Sequence, residues 1–318
     1  MAPRCATERH MPGPAARLIC LGLSALDITW EVDTLPQGSG KSRASDLREG
    51  GGGMAANAAA AAAKLGAAVQ FWGRAGADDA GRAMKAQLAA LGVDVTQLRL
   101  FEGARSSLSG IVVDRRGERM IVNFRGAGLP ADPGWLPLAA LPGADAVLAD
   151  PRWPEGALAL FGAARRQGLP TVLDGDVGDA ADAAWFDKLL PHTDHAIFSA
   201  PGLAHYATGA CTLDAQLHFA LARGCRLAAV TLGEHGLRWA DASGLHSLPA
   251  FAVQAVDTTG AGDAFHGAFA FALGAGWPVR RALRFSAAVA ALKCQRPGGR
   301  AGLPDLASAL ALVDSIKE

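Results

Sequence analysis

The stretch Val256-Asp257-Thr258-Thr259-Gly260-Ala261-Gly262-Asp263-Ala264-Phe265-His266-Gly267-Ala268 is the part of this chain best equipped for chemistry. Two glycines and an alanine stand directly before an acid, and an apolar, small-residue helix is predicted from about Ala261 to Leu273. The first turn of a helix leaves backbone N–H groups without internal partners, and its dipole end is positive. Gly260 and Gly262 let an anion come close to those donors. A carboxylate in the same turn would repel that anion unless something stood between them. A hydroxyl about to attack a phosphoryl group fits the gap. Asp263 therefore reads as a general base, with the N–H groups of Gly260, Ala261 and Gly262 holding the transferring group. Phosphoryl transfer needs alignment and charge neutralisation more than covalent help. Losing preorganised donors of this kind costs roughly 3–4 kcal/mol of barrier. The same residues also fit a plain glycine-rich turn with a helix-start acid; the Asp-Thr-Thr lead-in and the small-residue helix favour the chemical reading.

The rest of the chain must position that turn. Its 318 residues suit one large α/β domain or two small ones, and half of them are apolar, enough for a sizeable core. Thirty basic and thirty acidic residues balance, and no basic patch interleaved with aromatics points to nucleic acid. Cys5, Cys20, Cys211, Cys225 and Cys294 lie far apart without a Cys-x-x-Cys, which reads as reduced thiols in a cytoplasmic protein. Residues 1–16 carry no apolar core of a signal peptide and are expected to form a disordered tail. No window is apolar over the length of a membrane span.

Leu18 to Leu23 reads as a short buried strand with Asp27 beyond its end, followed by a polar segment from Glu31 to Glu49. Gly50-Gly51-Gly52-Gly53 then opens an alanine-rich helix, and alanine is the best helix former. Val69 to Gly73 is a strand and Ala80 to Leu91 a helix. Ser107 to Asn123 reads as a hairpin turning at Asp114-Arg115-Arg116-Gly117. Strands at Ala146, Thr171, His195 and Leu227 alternate with helices, which implies a mostly parallel sheet covered on both faces. Ligands of such sheets sit at the carboxyl ends of the strands. Asp27, Asp150, Asp174, Asp176 and Thr231 all fall at such ends. Strand-end acids are also ordinary turn formers, so the set is more telling than its members. His235 and His266 read as packing residues rather than as acid/base groups.

Two motifs together resemble the signatures of the ribokinase-like (PfkB) family of sugar kinases. One is Asp257 to Ala268; the other is Gly50-Gly51-Gly52-Gly53-Met54-Ala55-Ala56-Asn57-Ala58, in the family's order and spacing. The resemblance implies a three-layer fold whose mostly parallel central sheet carries a small β lid, here from about 29–48 and 106–125 within a kinase domain at 17–318. It implies that lids pair into homodimers, and that ATP with Mg2+ and a small-molecule sugar are the partners. Thr231-Leu232-Gly233-Glu234-His235-Gly236 resembles the nucleotide loop, in which Thr231, Gly233 and Gly236 bring backbone to ATP; a hairpin turn is the alternative. Many members organise magnesium with an Asn-x-x-Glu. The matching stretch here is Ser199-Ala200-Pro201-Gly202, which leaves the metal ligands unassigned. Asp257, Thr259 and the loop Arg296-Pro297-Gly298-Gly299-Arg300 are candidates to offer carbonyls to a monovalent cation such as K+, as in relatives.

The generic sugar end would be Asp27, Gly52, Gly53 and Asn57, because acids and amides suit vicinal hydroxyls. Several runs, including Gly38-Ser39-Gly40-Lys41, Leu148 to Trp153 and Ala291 to Gly302, look like the sulfofructose kinase branch. Carried over, Lys41, Asn123 and Arg152 would hold a sulfonate. Without the resemblance, Lys41 reads as a solvated loop lysine and Arg152 as a surface ion pair. Met54 and Asn57 depart from that branch, and Asn57 is nearer the general family pattern. The expected activity is ATP-dependent phosphorylation of the 1-hydroxyl of 6-deoxy-6-sulfofructose. A kinase of fructose 6-phosphate or of an uncharged ketose is the alternative. A sensor without turnover would have no need of Asp263, and no Gly-x-Gly-x-x-Gly follows the first strand to mark a dinucleotide oxidoreductase.

Overall fold

The computed structural model describes residues 15–141, 143–176 and 180–316, so most of the expected tail lies outside the described residues. Its last residue, Ala16, is buried, and its carbonyl accepts from the Ala68 N–H.

Alternation of side chains builds the three layers. In β1 (Arg17–Gly22), Leu18 and Cys20 face one apolar cluster while Ile19 and Leu21 face the other. A strand buried on both faces reads as a continuous apolar run, and this one does. The chain continues through β2 (Ala25–Val32), β3 (Asp46–Gly52), α1 (Met54–Lys64), β4 (Ala68–Gly76), α2 (Asp79–Ala90), β5 (Leu98–Phe101), β6 (Leu108–Asp114) and β7 (Arg119–Phe124). Next come β8 (Ala146–Ala149), α3 (Pro154–Arg166), β9 (Thr171–Asp174), α4 (Ala180–Leu189), β10 (His195–Ser199), α5 (Ala200–Tyr206), α6 (Leu213–Leu221) and β11 (Leu227–Thr231). The last elements are β12 (Leu237–Asp241), β13 (Gly244–Leu248), α7 (Ala261–Gly274), α8 (Val279–Cys294) and α9 (Leu306–Ser315).

The large sheet runs β13-β12-β11-β10-β9-β8-β1-β4-β5, parallel except for β12 and β13. From β1 the chain moves one way to β4 and β5; from β8 it moves the other way to β11. The order therefore reverses between β1 and β8, the crevice where open α/β sheets bind ligands. Asp150 stands there, fully buried. Its carboxylate accepts the N–H groups of Leu23 at 2.8 Å, Ala55 at 3.0 Å and Arg152 at 2.9 Å, tying the end of β1 to the start of α1.

A second sheet, β3-β2-β6-β7, covers this edge. The polar segment after β1 supplies two of its strands: β2 pairs antiparallel with β3 and parallel with β6. Gly50 to Gly52, legible in the sequence only as the opening of a helix, close β3 as paired strand residues, and the helix starts beyond Gly53. Across one face of this sheet Gly50, Asp27, Ser109 and Asn123 stand side by side.

Candidate active site

The two glycine-bearing signatures meet because two helices lack side-chain bulk. α1 is alanine from Ala58 to Ala63, and α7 carries Gly267 one turn after Asp263. A Cβ on Gly267 would run into the carbonyl of Ala58, so the helices cross at backbone distance. That closeness puts Asn57 beside Asp263, and the Asn57 amide donates to Asp263 Oδ2 at 2.7 Å. Gly260, the residue before α7, has φ 73°, a left-handed conformation natural to glycine. Gly262 and Asp263 lie in the first turn, where the N–H groups have no intrahelical partner.

Asp263 is an unusual carboxylate. Burial, then the charge of Asp174, push its pKa up to about 7, against the opposing pull of the Asn57 amide. Asp174 closes β9, and burial with the neighbouring charges of Asp176 and Asp150 holds it well above the ordinary carboxylate range. His266 lies between these acids and the sheet. Its Nδ1 is 2.7 Å from the Gly262 carbonyl and 3.3 Å from Asp174 Oδ2, and its Nε2 is 3.1 Å from the Ile197 carbonyl. Burial depresses its pKa, and its contacts tie the first turn of α7 to β10, which agrees with a packing role.

Where a sugar is expected, the structure gathers Asp27, Gly52, Asn57 and Asp263 around Arg300, a residue expected only to offer its carbonyl to a cation and whose side chain had no assigned role. Its Nε donates to Asn57 Oδ1 at 2.8 Å and its Nη2 to the Gly52 carbonyl at 2.9 Å. Its Nη1 is buried without a hydrogen-bond partner. Burial lowers its pKa to about 10, while the charges of Asp27 and Asp263 oppose the shift. A side chain on Gly51 would strike this guanidinium, and one on Gly52 would strike the Asp27 carboxylate. Asp27 is itself raised by burial, against a hydrogen bond from Ser109 and the charge of Arg300. Gly53, at φ 93°, starts α1, and a Cβ there would meet the Leu23 carbonyl. The only sequence signal for Arg300 was its place in a glycine-rich loop following α8.

The three cations and amides expected at an anionic group are less closely gathered. Asn123 belongs to the row of Asp27 and Ser109, and its amide donates to Ser109 Oγ at 3.2 Å. Arg152 follows β8, where its charge acts on Asp150 and Asp174. Lys41 is exposed on the connection between β2 and β3. Where the nucleotide is expected, Thr231 closes β11 and its hydroxyl donates to the Phe198 carbonyl at 3.4 Å. Gly233 and Gly236 have φ 57° and 85° in a short turn joining β11 to β12. Nothing lies within 4 Å of a Cβ at Gly233, whereas one at Gly236 would strike the Leu248 carbonyl. Gly236 therefore answers to packing, and Gly233 borders open space. Ser199 caps α5 and donates to Asp176 Oδ1 at 2.7 Å.

A carboxylate held near neutrality at a glycine-lined helix start is the equipment of a phosphotransferase. The chain belongs to the pfkB family of carbohydrate kinases, whose model matches residues 15–306. It is 30% identical over 291 residues to the ATP-dependent ribose-1-phosphate kinase of Halopiger xanaduensis, spanning 89% of this chain and 94% of that one. It is 30% identical over 293 residues to the ribokinase of Bacillus subtilis, spanning 91% and 96%. The structure of Arabidopsis thaliana ribokinase complexed with ribose and ATP superposes with a TM-score of 0.82 at 26% identity, covering 94% of this chain and 99% of that one. The fold is ribokinase-like, and the protein is an ATP-dependent carbohydrate kinase. The relatives named here carry the names of ribose and ribose 1-phosphate kinases; none is a sulfofructose kinase.

Proposed function

We propose that this kinase phosphorylates the 1-hydroxyl of an anionic ketose, 6-deoxy-6-sulfofructose, with Asp263 as the base. The observation that carries the chemistry is the Asn57 amide fixing Asp263 at the glycine-lined start of α7. The hydroxyl proton passes to Asp263 as the oxygen bonds to the γ-phosphorus. The bond from that phosphorus to the β–γ bridging oxygen breaks, and ADP leaves. The N–H groups of Gly260 and Gly262 hold the transferring oxygens, while that of Ala261 donates to the Thr258 carbonyl. Magnesium brought with ATP would neutralise charge on the phosphates. Asp176, a hard-oxygen donor already joined to Ser199, suits the water shell of that ion. Thr231 and Gly233 line the path of the nucleotide.

Asn123, in the row of Asp27, and Arg152, at the end of β8, support recognition of an anion. A planar guanidinium matches the tetrahedral oxyanion of a sulfonate. Lys41 would reach the anion from the small sheet, which then acts as a lid. A second reading is a ribose-type substrate. The partnerless Nη1 of Arg300 favours it, because a buried donor beside Asp27 and Gly51 suits a sugar oxygen. The named relatives favour it too. ATP consumption should be measured with sulfofructose, fructose 6-phosphate, fructose, ribose and ribose 1-phosphate. The highest kcat/KM on sulfofructose is expected. Preference for ribose or ribose 1-phosphate would remove the sulfonate assignment, and no turnover on any sugar would remove the kinase chemistry from Asp263.

The other face of the small sheet supports pairing of two copies. Leu47, Trp30, Val112 and Met120 form one cross-strand row, with Val122 further along the same face, 70% exposed. An apolar patch of this kind marks an interface. Val122→Asp should convert a dimer into a monomer by light scattering. No described helix is long and apolar enough to cross a membrane, and the described cysteines are all free, which supports a cytoplasmic location.

A further inference from the structure

Of the groups singled out as carriers of a monovalent cation, Asp257 and the Gly298 carbonyl are already engaged. Asp257 Oδ1 accepts the Thr259 N–H at 2.9 Å, and Oδ2 accepts the Gly298 N–H at 2.8 Å. The Gly298 carbonyl accepts the Gly302 N–H. The backbone carbonyl of Asp257, the residue at the centre of that set, accepts from a lysine. Lys293, in the last turn of α8, has a side chain with no solvent exposure, and its Nζ donates to the Asp257 carbonyl at 2.8 Å. The same ammonium lies 3.6 Å from Asp257 Oδ2. A K+ ion on these oxygens would stand against the fixed unit positive charge of a fully buried ammonium, and like charges at that distance repel strongly.

An ammonium and K+ are univalent cations of similar size, so one can stand in for the other. Lys293 is well held for that task. The C-terminal end of a helix favours a cation. The carbonyl of Cys294, next in α8, accepts the N–H groups of Val256 and Asp257 at 2.7 and 3.0 Å. Only Thr258 and Thr259 separate Asp257 from Gly260, and the Ala261 N–H donates to the Thr258 carbonyl. Burial lowers the Lys293 pKa while the Asp257 charge supports the charged form. Asp257 stays ionised despite burial because the Thr259 N–H, the Lys293 charge and the Gly298 N–H outweigh it.

We propose that Lys293 is a positioning residue that supplies, as a tethered charge, what a bound monovalent cation would supply to the loop entering α7, and that this kinase needs no K+. The inference rests on the reading of that loop as the phosphoryl-holding turn. The test compares K+ with choline at constant ionic strength, reading both initial rates and thermal melting. For the wild type, neither should change. Lys293→Ala removes the ammonium and leaves a charged Asp257 beside a cation-sized space. Its kcat should fall at least about ten-fold. K+ or ammonium, but not choline, should restore part of the rate and raise the melting temperature. Lys293→Met, which fills the space without charge, should be slow and unresponsive to either cation. Stimulation or stabilisation of the wild type by K+ over choline would overturn the proposal. So would a folded Lys293→Ala indifferent to K+ in both readouts. If Lys293→Ala does not fold, the wild-type comparison decides. If the wild type phosphorylates no sugar, the substrate reading has failed, and the melting comparison alone decides this one.

Discussion

The two ends of the cleft are built on different principles. At the α7 end, polar groups are buried or half-buried and held from several sides: Asp263 by Asn57, His266 by two carbonyls, Asp257 by two N–H groups and Lys293. At the small-sheet end, Lys41 and Asn123 are exposed, and Arg119 of β7 reaches the rim through the hydroxyls of Thr259 at 2.6 Å and Thr258 at 3.3 Å. Groups that act on the shared chemistry are fixed before substrate arrives, where low dielectric makes them strong. The groups proposed to choose the sugar include two, Lys41 and Asn123, carried by the small sheet and exposed. Fixed groups should therefore control kcat, and the sheet should control which sugar is used.

The sharpest way to break this contrast is at its fixed end. Asp263→Asn should lower kcat by about 10²–10⁴-fold or more, the scale of general-base catalysis, while calorimetry shows ATP binding kept. Wild-type turnover in that variant would end the role of Asp263. A second signature accompanies it. A carboxyl raised to about 7 stabilises the fold fully below its unfolded value near 3.8, and the contribution is lost as pH rises through about 7. Asp263→Asn should escape that loss, so its unfolding free energy should fall less steeply than the wild type's between about pH 4 and 7.

At the selective end, Arg152→Ala should cost a charged sugar about 2–5 kcal/mol in kcat/KM, the range for removing one partner of a buried charge pair. An uncharged sugar should lose much less. Lys41→Ala should act in the same direction. Equal losses on charged and neutral sugars would mean that neither residue reads the anion.

A smaller effect tests the coupling between acids. The base must be ionised, so kcat/KM of the wild type should decline as pH falls through about 7. The Asp174 charge raises the Asp263 pKa, so Asp174→Asn should move this limb to lower pH. An unmoved limb would assign it to another group. The smallest effect concerns the nucleotide. Gly233→Val crowds the open side of the turn after β11 and should raise KM for ATP more than for sugar. The reverse would place that turn away from the nucleotide.

Much of the fixed end was legible in the sequence because glycine, alanine and a lone acid at a helix start have few uses, and because period-two and helical patterns reported the buried strands and helices around them. The parallel sheet, the 107–123 hairpin and the α7 helix could be read this way. Less legible were features that depend on what meets across the fold. β2 and β3 came into the expected β lid at 29–48 through the family resemblance, because a strand rich in polar residues carries a weak alternation of its own. Arg300 was invisible as a site residue because an arginine in a glycine-rich loop has no periodic partner; only folding sets its guanidinium against Asn57 and Gly52. Lys293 carried no reading of its own in the sequence, because only folding sets its Nζ on the Asp257 carbonyl. Asp150, one of several strand-end acids, proved to be a brace for three backbone donors.

The backbone-close crossing of α1 and α7 also governs how the enzyme comes into being. It joins Asn57 to Asp263 across 206 positions of chain, so the base cannot be oriented until nearly the whole sequence has been synthesised and folded. Contacts this distant form only after a large loss of chain entropy, which makes them slow to arise. Until α7 docks, α1 presents a strip of bare alanine with nothing to cover it. During refolding from denaturant, the compact shape and helical signal should return before phosphotransfer does, and a chain ending before α7 should have no partial activity. In this protein catalytic competence reports completion of the fold.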